Sequence, residues 1–153
     1  MHVLITGGTG FVGRALVLRL RRDGHTVTAI TRNPEKARSL LGTEASFVTA
    51  DPGSPSLQQA VEEADAVVNL AGEPLLGGRW TDRKMKAIRA SRVQTTRGLV
   101  EAMAAANSRP RAFVSASAVG VYGDGGDSRL TEDAPEADDF LASVCRAWES
   151  EAR

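Results

Sequence analysis

Short apolar runs alternate with amphipathic stretches along the whole chain. The run Val3-Leu4-Ile5 comes first, and a continuous apolar run of this kind is typical of a strand buried in a parallel sheet. Further apolar and β-branched runs predict strands at 25–31, 46–50, 66–72 (with its exit turn) and 111–117. Amphipathic stretches predict helices at 12–22, 34–41, 55–63, 82–106 and 140–153, and a loop at 120–135. This alternation predicts one α/β domain, a doubly wound parallel sheet of Rossmann type with strand order 3-2-1-4-5.

Polar residues directly before the amphipathic stretches mark the helix starts. The predicted caps are Asn33 (followed by Pro34), Ser54 or Ser56, Thr81, and Asp138 or Asp139. In the first helix, Val12, Leu16 and Leu20 lie one turn apart and predict the buried stripe. The positions predicted to be buried on the long fourth helix are Met85, Ile88, Val93, Leu99, Val100 and Met103.

A cluster of glycines separates the first strand from the first helix. Gly8, Gly10 and Gly13 fit the pattern G-x-G-x-x-G, and Gly7, Gly10 and Gly13 fit G-x-x-G-x-x-G. Glycines allow a sharp turn and a close ligand approach, and the following helix directs its free N–H groups and positive dipole end at the turn. We therefore expect a dinucleotide pyrophosphate to lie here, bound by Gly7, Thr9, Gly10, Phe11, Val12 and Gly13. The alternative is an ordinary glycine-rich turn.

Candidate ligand contacts also follow the other strands, because ligands of such sheets bind outside the carboxyl ends of the strands. An NAD site usually has Asp or Glu at the end of the second strand, but here Thr31-Arg32 occupies that place. An arginine can bind a 2′-phosphate through two hydrogen bonds, so we expect NADP in preference to NAD. A solvated surface arginine is the alternative for Arg32. Ser115, at the end of the fifth strand, is a further predicted cofactor contact.

Composition excludes several classes of protein. Lys and Arg balance Asp and Glu at 19 each, which gives no sign of a nucleic-acid partner or an acidic membrane surface. No run is long enough to cross a membrane, and the single cysteine, Cys145, excludes an internal disulfide. Met1 leads straight into the first strand, so we expect no signal peptide and a cytoplasmic location. The two histidines are far apart, and no metal site is predicted.

Three motifs resemble the extended short-chain dehydrogenase/reductase superfamily: Thr6–Gly13, Asn69-Leu70-Ala71-Gly72, and Ser115-Ala116-Ser117-Ala118 followed by Val121-Tyr122-Gly123. More narrowly, the segments 69–74, 88–93 and 139–149 resemble its atypical branch of epimerase family proteins, which are described as sugar-nucleotide epimerases. The resemblance covers the whole chain. Members of that branch are about twice as long, so we expect this chain to be the dinucleotide-binding half, without the C-terminal substrate-binding part.

The resemblance also implies roles for residues at two strand ends. Asp51 would bind the adenine amino group, although it could instead cap the loop before Pro52. Ala71 and Gly72 would let the ribose approach closely, or else form only a tight exit turn.

The catalytic residues implied by the resemblance are incomplete in this chain. The superfamily uses a Ser or Thr to orient the substrate hydroxyl, a Tyr as general acid/base, and a Lys four residues later. Ser117 matches the Ser, although its hydroxyl could simply bond local backbone. Tyr122 is the only tyrosine, corresponds to a loop tyrosine, and has Gly126 four residues on. With Glu149 as the anchor, Leu141 and Cys145 fall at the Tyr and Lys positions, and neither can do that chemistry.

Two functions are consistent with these residues. The first is an NADP(H)-dependent oxidoreductase or epimerase-like protein that acts on a small substrate of sugar or sugar-nucleotide type, with Ser117 and Tyr122 as candidate catalytic residues. The second is a non-catalytic NADP-binding or redox-sensing protein. Either function is compatible with a homodimer.

Overall fold

The computed structural model describes all 153 residues. Five strands and five α-helices follow one another in the predicted order, with a short 3-10 turn before the last helix. The strands are β1 (His2–Thr6), β2 (Thr26–Ile30), β3 (Ser46–Val48), β4 (Ala66–Asn69) and β5 (Ala112–Ser115). The helices are α1 (Phe11–Arg22), α2 (Pro34–Leu41), α3 (Pro55–Glu62), α4 (Asp82–Ala105) and α5 (Phe140–Glu151), and the 3-10 turn is Val119–Tyr122.

The strands form one parallel sheet in the order β3-β2-β1-β4-β5, which confirms the predicted fold and strand order. Alternate residues of β1 face opposite layers. Val3 and Ile5 pack in a cluster with residues of α1 and α2, whereas Leu4 packs in a cluster with residues of α3 and α4. Helix α5 packs against α4 and against the 3-10 turn. The result is a three-layer molecule in which all five carboxyl ends of the strands lie at one edge.

The prediction for the buried face of α1 is wrong for Val12 and holds in part for Leu16 and Leu20, which pack against the core cluster. Val12 is 60% exposed, and Leu16 and Leu20 are only half-buried; the residues that are buried are Gly13 and Val17. The cause is close packing of α1 on the glycine turn: the helix is rotated so that Gly13 lies against the backbone of Gly7 and Gly8. An apolar spacing alone could not reveal this rotation.

The buried face of α4 is predicted only in part. Ile88 and Leu99 are buried, whereas Met85, Val93, Val100 and Met103 are half-buried. The other buried positions are Thr96, Gly98 and Ala102, which are small or polar. Small residues let the helix approach the sheet and α3 closely, and Gly98 lies against Pro52, where a Cβ would fall 2.7 Å from the proline Cβ.

Strand β5 lies at the edge of the sheet and is only partly covered. Val114 pairs with Val68 of β4 on the face of the sheet that α1 and α2 cover, but Val114 itself is 57% exposed and does not belong to the cluster that these helices form. Among the helices, none combines the length and the apolar character that crossing a membrane requires.

Candidate functional site

A cleft of about 660 Å³ runs along the edge where the strands end. It is bounded by the glycine turn, the exits of β2, β3 and β4, and the inner face of α4. Its lining includes seven of the predicted cofactor contacts, namely Gly7, Thr9, Gly10, Arg32, Asp51, Ala71 and Gly72. The structure therefore brings together in one cleft residues from four separate strand exits, although their contacts with a cofactor stay predictions.

The glycines of the turn have different reasons for being glycine. Gly7 has a φ of +70°, and a Cβ there would lie 2.5 Å from the carbonyl oxygen of Leu70. A Cβ on Gly13 would collide with the carbonyl oxygen of Gly7. Gly10 is different, because its Cβ would meet only that same oxygen, at 3.2 Å, and its φ of −73° suits any residue. Protein packing thus requires Gly7 and Gly13 but leaves an open face at Gly10.

Helix α1 is also the one helix without a side-chain cap. Side chains cap the other four: Asn33 accepts from Lys36 N–H, Ser54 from Leu57, Thr81 from Lys84 and Asp139 from Ala142. At α1, Gly10 supplies no side chain, and the first turn holds no acidic residue. Helices leave their first N–H groups unsatisfied unless something caps them. The open face and the uncapped N–H groups fit a phosphate group well.

Phe11, Val12 and Gly13 form the first turn of α1 and are not among the residues that line the cleft. None of their side chains lines the cleft, and the ring of Phe11 is 89% exposed. Their N–H groups are those of the first turn of α1, and the predicted contact of these amides with a pyrophosphate stays a prediction.

Two cations lie at the β2 exit. Arg32 is exposed and lines the cleft, and Lys36 in the first turn of α2 lines the same wall. Sequence reasoning missed Lys36, although a signal was present: Lys36 follows Arg32 by four residues and falls in the first turn of the helix that Asn33 caps. Asp51 is exposed at the other end of this wall, and its carbonyl accepts from Ser54 N–H.

Arg92 of α4 holds the β4 exit. Its Nη1 donates to the carbonyl of Glu73 at 3.1 Å, and its guanidinium lies 5.4 Å from the ring centre of Trp148. A Cβ on Gly72 would fall 2.9 Å from that guanidinium. Burial lowers the pKa of Arg92 from its ordinary value. A side chain at Gly72 would therefore displace the Arg92 guanidinium, which is the end of a long side chain, and the predicted approach of a ribose to Gly72 stays a prediction.

Glu73 carries the only carboxylate that lines this end of the cleft. Lys84 Nζ donates to its Oε1 at 2.7 Å, and this hydrogen bond holds the pKa of the Glu73 carboxyl below its usual value, with smaller contributions from Arg32 and Arg92. The charge of Glu73 is thus already paired within the protein.

A buried polar network underlies the cleft. Thr6 Oγ1 donates to Asn69 Oδ1 at 2.6 Å, and Asn69 Nδ2 donates to Thr96 Oγ1 at 2.8 Å and to Ser115 Oγ at 3.3 Å. The N–H of Ala71 donates to Thr6 Oγ1 at 3.1 Å. Asn69 is fully buried. Ser115 therefore takes part in holding β4, β5 and α4 together, and its predicted cofactor contact stays a prediction. A polar residue within the apolar run Ala-Val-Val-Asn-Leu-Ala was the available signal for Asn69.

The two predicted catalytic side chains lie outside the cleft lining. Ser117 is exposed and its Oγ donates to Glu149 of α5. The Tyr122 hydroxyl donates to the carbonyl of Glu132 at 3.4 Å, so it already has a partner in the following loop. The structure does not bring these two hydroxyls together by any hydrogen bond, and their catalytic roles stay predictions.

Helix α5 turns Leu141 and Cys145 towards the segment after β5. A Cβ on Gly120 would lie 3.4 Å from the Leu141 Cβ, and Cys145 Sγ donates to the carbonyl of Ala118 at 3.7 Å. Glu149, one turn further on, contacts Ser117. The resemblance implies a Tyr–Lys pair at positions 141 and 145 of α5. These positions do contact the segment after β5, but they carry an apolar side chain and a thiol.

Cys145 is expected to be unreactive in the folded protein. It is 4% exposed, and burial, together with the nearby charge of Glu149, raises the pKa of its thiol. Since the thiolate is the reactive form, alkylation by iodoacetamide at pH 8 should be at least about tenfold slower than in urea-unfolded protein. Mass spectrometry reads the result directly because the chain has no other cysteine. Equal rates in folded and unfolded protein would instead indicate an accessible, redox-sensing thiol.

Comparisons with known proteins agree with this geometry. The chain is 39% identical, over 99% of its length, to the epimerase family protein SDR39U1 homolog, chloroplastic, of Arabidopsis thaliana, of which it covers 44%. The crystal structure of human epimerase family protein SDR39U1 (isoform 2) with NADPH matches with a TM-score of 0.78 and 32% identity, over 100% of this chain and 49% of that one.

A third match is the nucleoside-diphosphate sugar epimerase from Corynebacterium glutamicum, with a TM-score of 0.73 and 38% identity over 99% of this chain and 30% of that one. The chain spans half or less of the length of these relatives. A model of the NAD dependent epimerase/dehydratase family matches residues 3–142. The chain belongs to the NAD dependent epimerase/dehydratase family.

Proposed function

We propose that this chain is the NADP(H)-binding part of an oxidoreductase or epimerase-like protein that acts on a nucleoside-diphosphate sugar. The observation that carries the proposal is the uncapped N-terminus of α1 beside the open face of Gly10, at the edge where ligands of parallel sheets bind. The pyrophosphate would accept hydrogen bonds from the amides of Phe11, Val12 and Gly13. The adenine would lie towards Asp51, and the ribose of the nicotinamide towards Ala71.

Charge at the β2 exit supports NADP as the preferred dinucleotide. Arg32 and Lys36 line one wall of the cleft. The one carboxylate between them in the sequence, that of Glu35, does not line the cleft. A 2′-phosphate would gain charge-assisted hydrogen bonds there, whereas a 2′-hydroxyl would find no acidic acceptor. The structure of human SDR39U1 with NADPH, from a relative of 32% identity, supports the same preference.

The dinucleotide, when bound, supplies a hydride acceptor or donor. Ser117, at the exit of β5, would orient a substrate hydroxyl, and Tyr122 is the candidate acid/base if the loop that holds its hydroxyl opens. The nucleoside-diphosphate sugar epimerase from Corynebacterium glutamicum supports a sugar nucleotide as the substrate class. Cytoplasmic location and a homodimer stay predictions.

A non-catalytic NADP-binding protein is the second candidate. Leu141 and Cys145 at the positions of the Tyr–Lys pair favour it, since neither transfers protons in that role. The burial of Cys145 gives no support to the redox-sensing form of this candidate.

Titration of Arg32→Ala with NADPH and with NADH tests the cofactor proposal. Loss of the guanidinium removes charge-assisted hydrogen bonds worth about 1.5–3 kcal/mol, so NADPH should bind about 10- to 100-fold more weakly, and NADH should bind as before. The exposed Arg38, which lies on α2 outside the cleft, gives the matched control Arg38→Ala. Unchanged NADPH affinity, or equal weakening for both dinucleotides, would contradict the assignment of Arg32 to the 2′-phosphate.

A further inference from the structure

The hydrogen bond between Ser117 and Glu149 joins the exit of β5 to the last turn of α5. Thirty-two residues separate the two in sequence. Helix geometry gives no reason for an acidic residue at this place, because the C-terminal end of a helix carries a partial negative charge that repels a carboxylate. The last turn of α5 also has no basic residue to offset it. What holds Glu149 is therefore the Ser117 hydroxyl, helped by Arg153, whose Nη2 lies 3.6 Å from Oε2.

Glu149 keeps access to solvent and to the site edge. Its side chain is 32% exposed, and Ser117 is exposed beside it. Ser117 follows Ser115 and Ala116, and Ala116 N–H donates to the carbonyl of Asn69 at 3.0 Å, next to the exit of β4 that lines the cleft. The Ser–Glu pair thus lies just beyond the lining of the cleft, on the β5 side and away from Arg32. A dinucleotide bound as proposed would extend its nicotinamide ring in this direction.

Resting on the proposed function, we propose that Glu149 is the positioning residue that handles the proton through Ser117, in place of the missing Tyr–Lys pair. When a substrate alcohol is oxidised, its hydroxyl proton passes to Ser117 Oγ as the Ser117 proton passes to a carboxylate oxygen of Glu149. The C–H bond breaks, its electron pair leaves as hydride to the oxidised dinucleotide, and the carbon–oxygen bond becomes a carbonyl. One proton then resides on Glu149, and reduction reverses each transfer.

The proposal makes a prediction that needs no substrate. The oxidised nicotinamide ring carries a positive charge that the reduced ring lacks, so a carboxylate at this end favours NADP⁺ over NADPH. Removal of the charge in Glu149→Gln should lower the ratio of NADP⁺ to NADPH affinity by about 3- to 10-fold. Glu149→Asp should restore most of the ratio. NADPH binding is read by its fluorescence, NADP⁺ binding by competition against NADPH, and retention of the fold by circular dichroism.

Glu151→Gln is the matched control, because Glu151 is two residues away on α5 and pairs with Arg97 of α4 instead. Its ratio should equal that of the unaltered chain.

The outcomes separate the two proposals. If the unaltered chain binds both dinucleotides but Glu149→Gln keeps the same ratio, the Glu149 proposal is wrong and the proposed function stands. If Glu149→Gln merely unfolds at a lower temperature without changing the ratio, Glu149 is structural. If the folded, unaltered chain binds neither dinucleotide, both proposals fail. Ser117→Ala, which leaves the carboxylate charge in place, should keep the ratio closer to that of the unaltered chain than Glu149→Gln does.

Discussion

Replacement of Gly10 by valine is expected to abolish dinucleotide binding and leave the fold intact. The backbone of Gly10 has φ −73° and ψ 175°, which valine adopts readily, and the only atom near its Cβ would be the Gly7 carbonyl oxygen at 3.2 Å. The isopropyl group would instead fill the open face over the first N–H groups of α1. We expect NADPH affinity to fall by at least about 100-fold, or about 2.7 kcal/mol, in a fluorescence titration. The thermal midpoint should stay close to that of the unaltered chain.

Two companion variants decide how that loss is interpreted. Gly13→Ala would place a Cβ against the Gly7 carbonyl oxygen and the Gly8 backbone, so it should destabilise the fold itself and says nothing specific about a ligand. Phe11→Ala removes an exposed ring but keeps the backbone N–H, and NADPH affinity should stay within about threefold of the unaltered chain. A folded Gly10→Val protein that binds NADPH normally would refute the pyrophosphate site.

The architecture was predictable because several independent signals agree at each element. Asn33 before Pro34 and Thr81 before α4 both cap the helices they were expected to cap. The structure selects Ser54 over Ser56 and Asp139 over Asp138. Each pair consists of two good capping residues, and only the path of the preceding loop decides which side chain faces the free N–H groups.

Strand and loop ends were less predictable. The third strand was expected to end at residue 50 and the fifth at residue 117, but β3 ends at Val48 and β5 at Ser115. Ladder hydrogen bonds stop where the neighbouring strand stops, and β-propensity does not record this limit. The expected loop at 120–135 begins inside the 3-10 turn Val119–Tyr122, which buries Val121 against α5.

The candidate site, too, was predictable only in part. Its glycine turn has a local signature, and the strand exits are brought together by any parallel sheet of this order, so Arg32, Asp51 and Ala71 could be expected to line one cleft. Arg92 and Glu149 could not be found in this way. Each acts across a tertiary contact, Arg92 on Gly72 and Glu149 on Ser117, and each lies on a helix where a charged residue is ordinary.

Asn69 is the buried polar residue whose loss should cost the most stability. Its amide joins Thr6 of β1, Thr96 of α4 and Ser115 of β5 in one network at full burial. Leucine has nearly the same shape but can neither accept from Thr6 nor donate to Thr96. A buried polar group left without its partner costs about 1–3 kcal/mol, so we expect Asn69→Leu to lower the free energy of unfolding by about 2–4 kcal/mol in urea denaturation. The thermal midpoint should fall by about 5–15 °C.

The control and the double variant show whether the network is the cause. Asn107→Leu makes the same substitution at an exposed site and should change the free energy of unfolding by less than about 1 kcal/mol. Thr6→Val removes the hydroxyl that donates to Asn69, and in combination with Asn69→Leu it removes both members of the pair. Because the double variant leaves no orphaned donor between these two positions, its cost should be smaller than the sum of the single costs by about 0.5–2 kcal/mol. Strictly additive costs, or a loss below about 1 kcal/mol for Asn69→Leu, would mean that apolar packing and not this network holds β1, β4 and α4 together beneath the cleft.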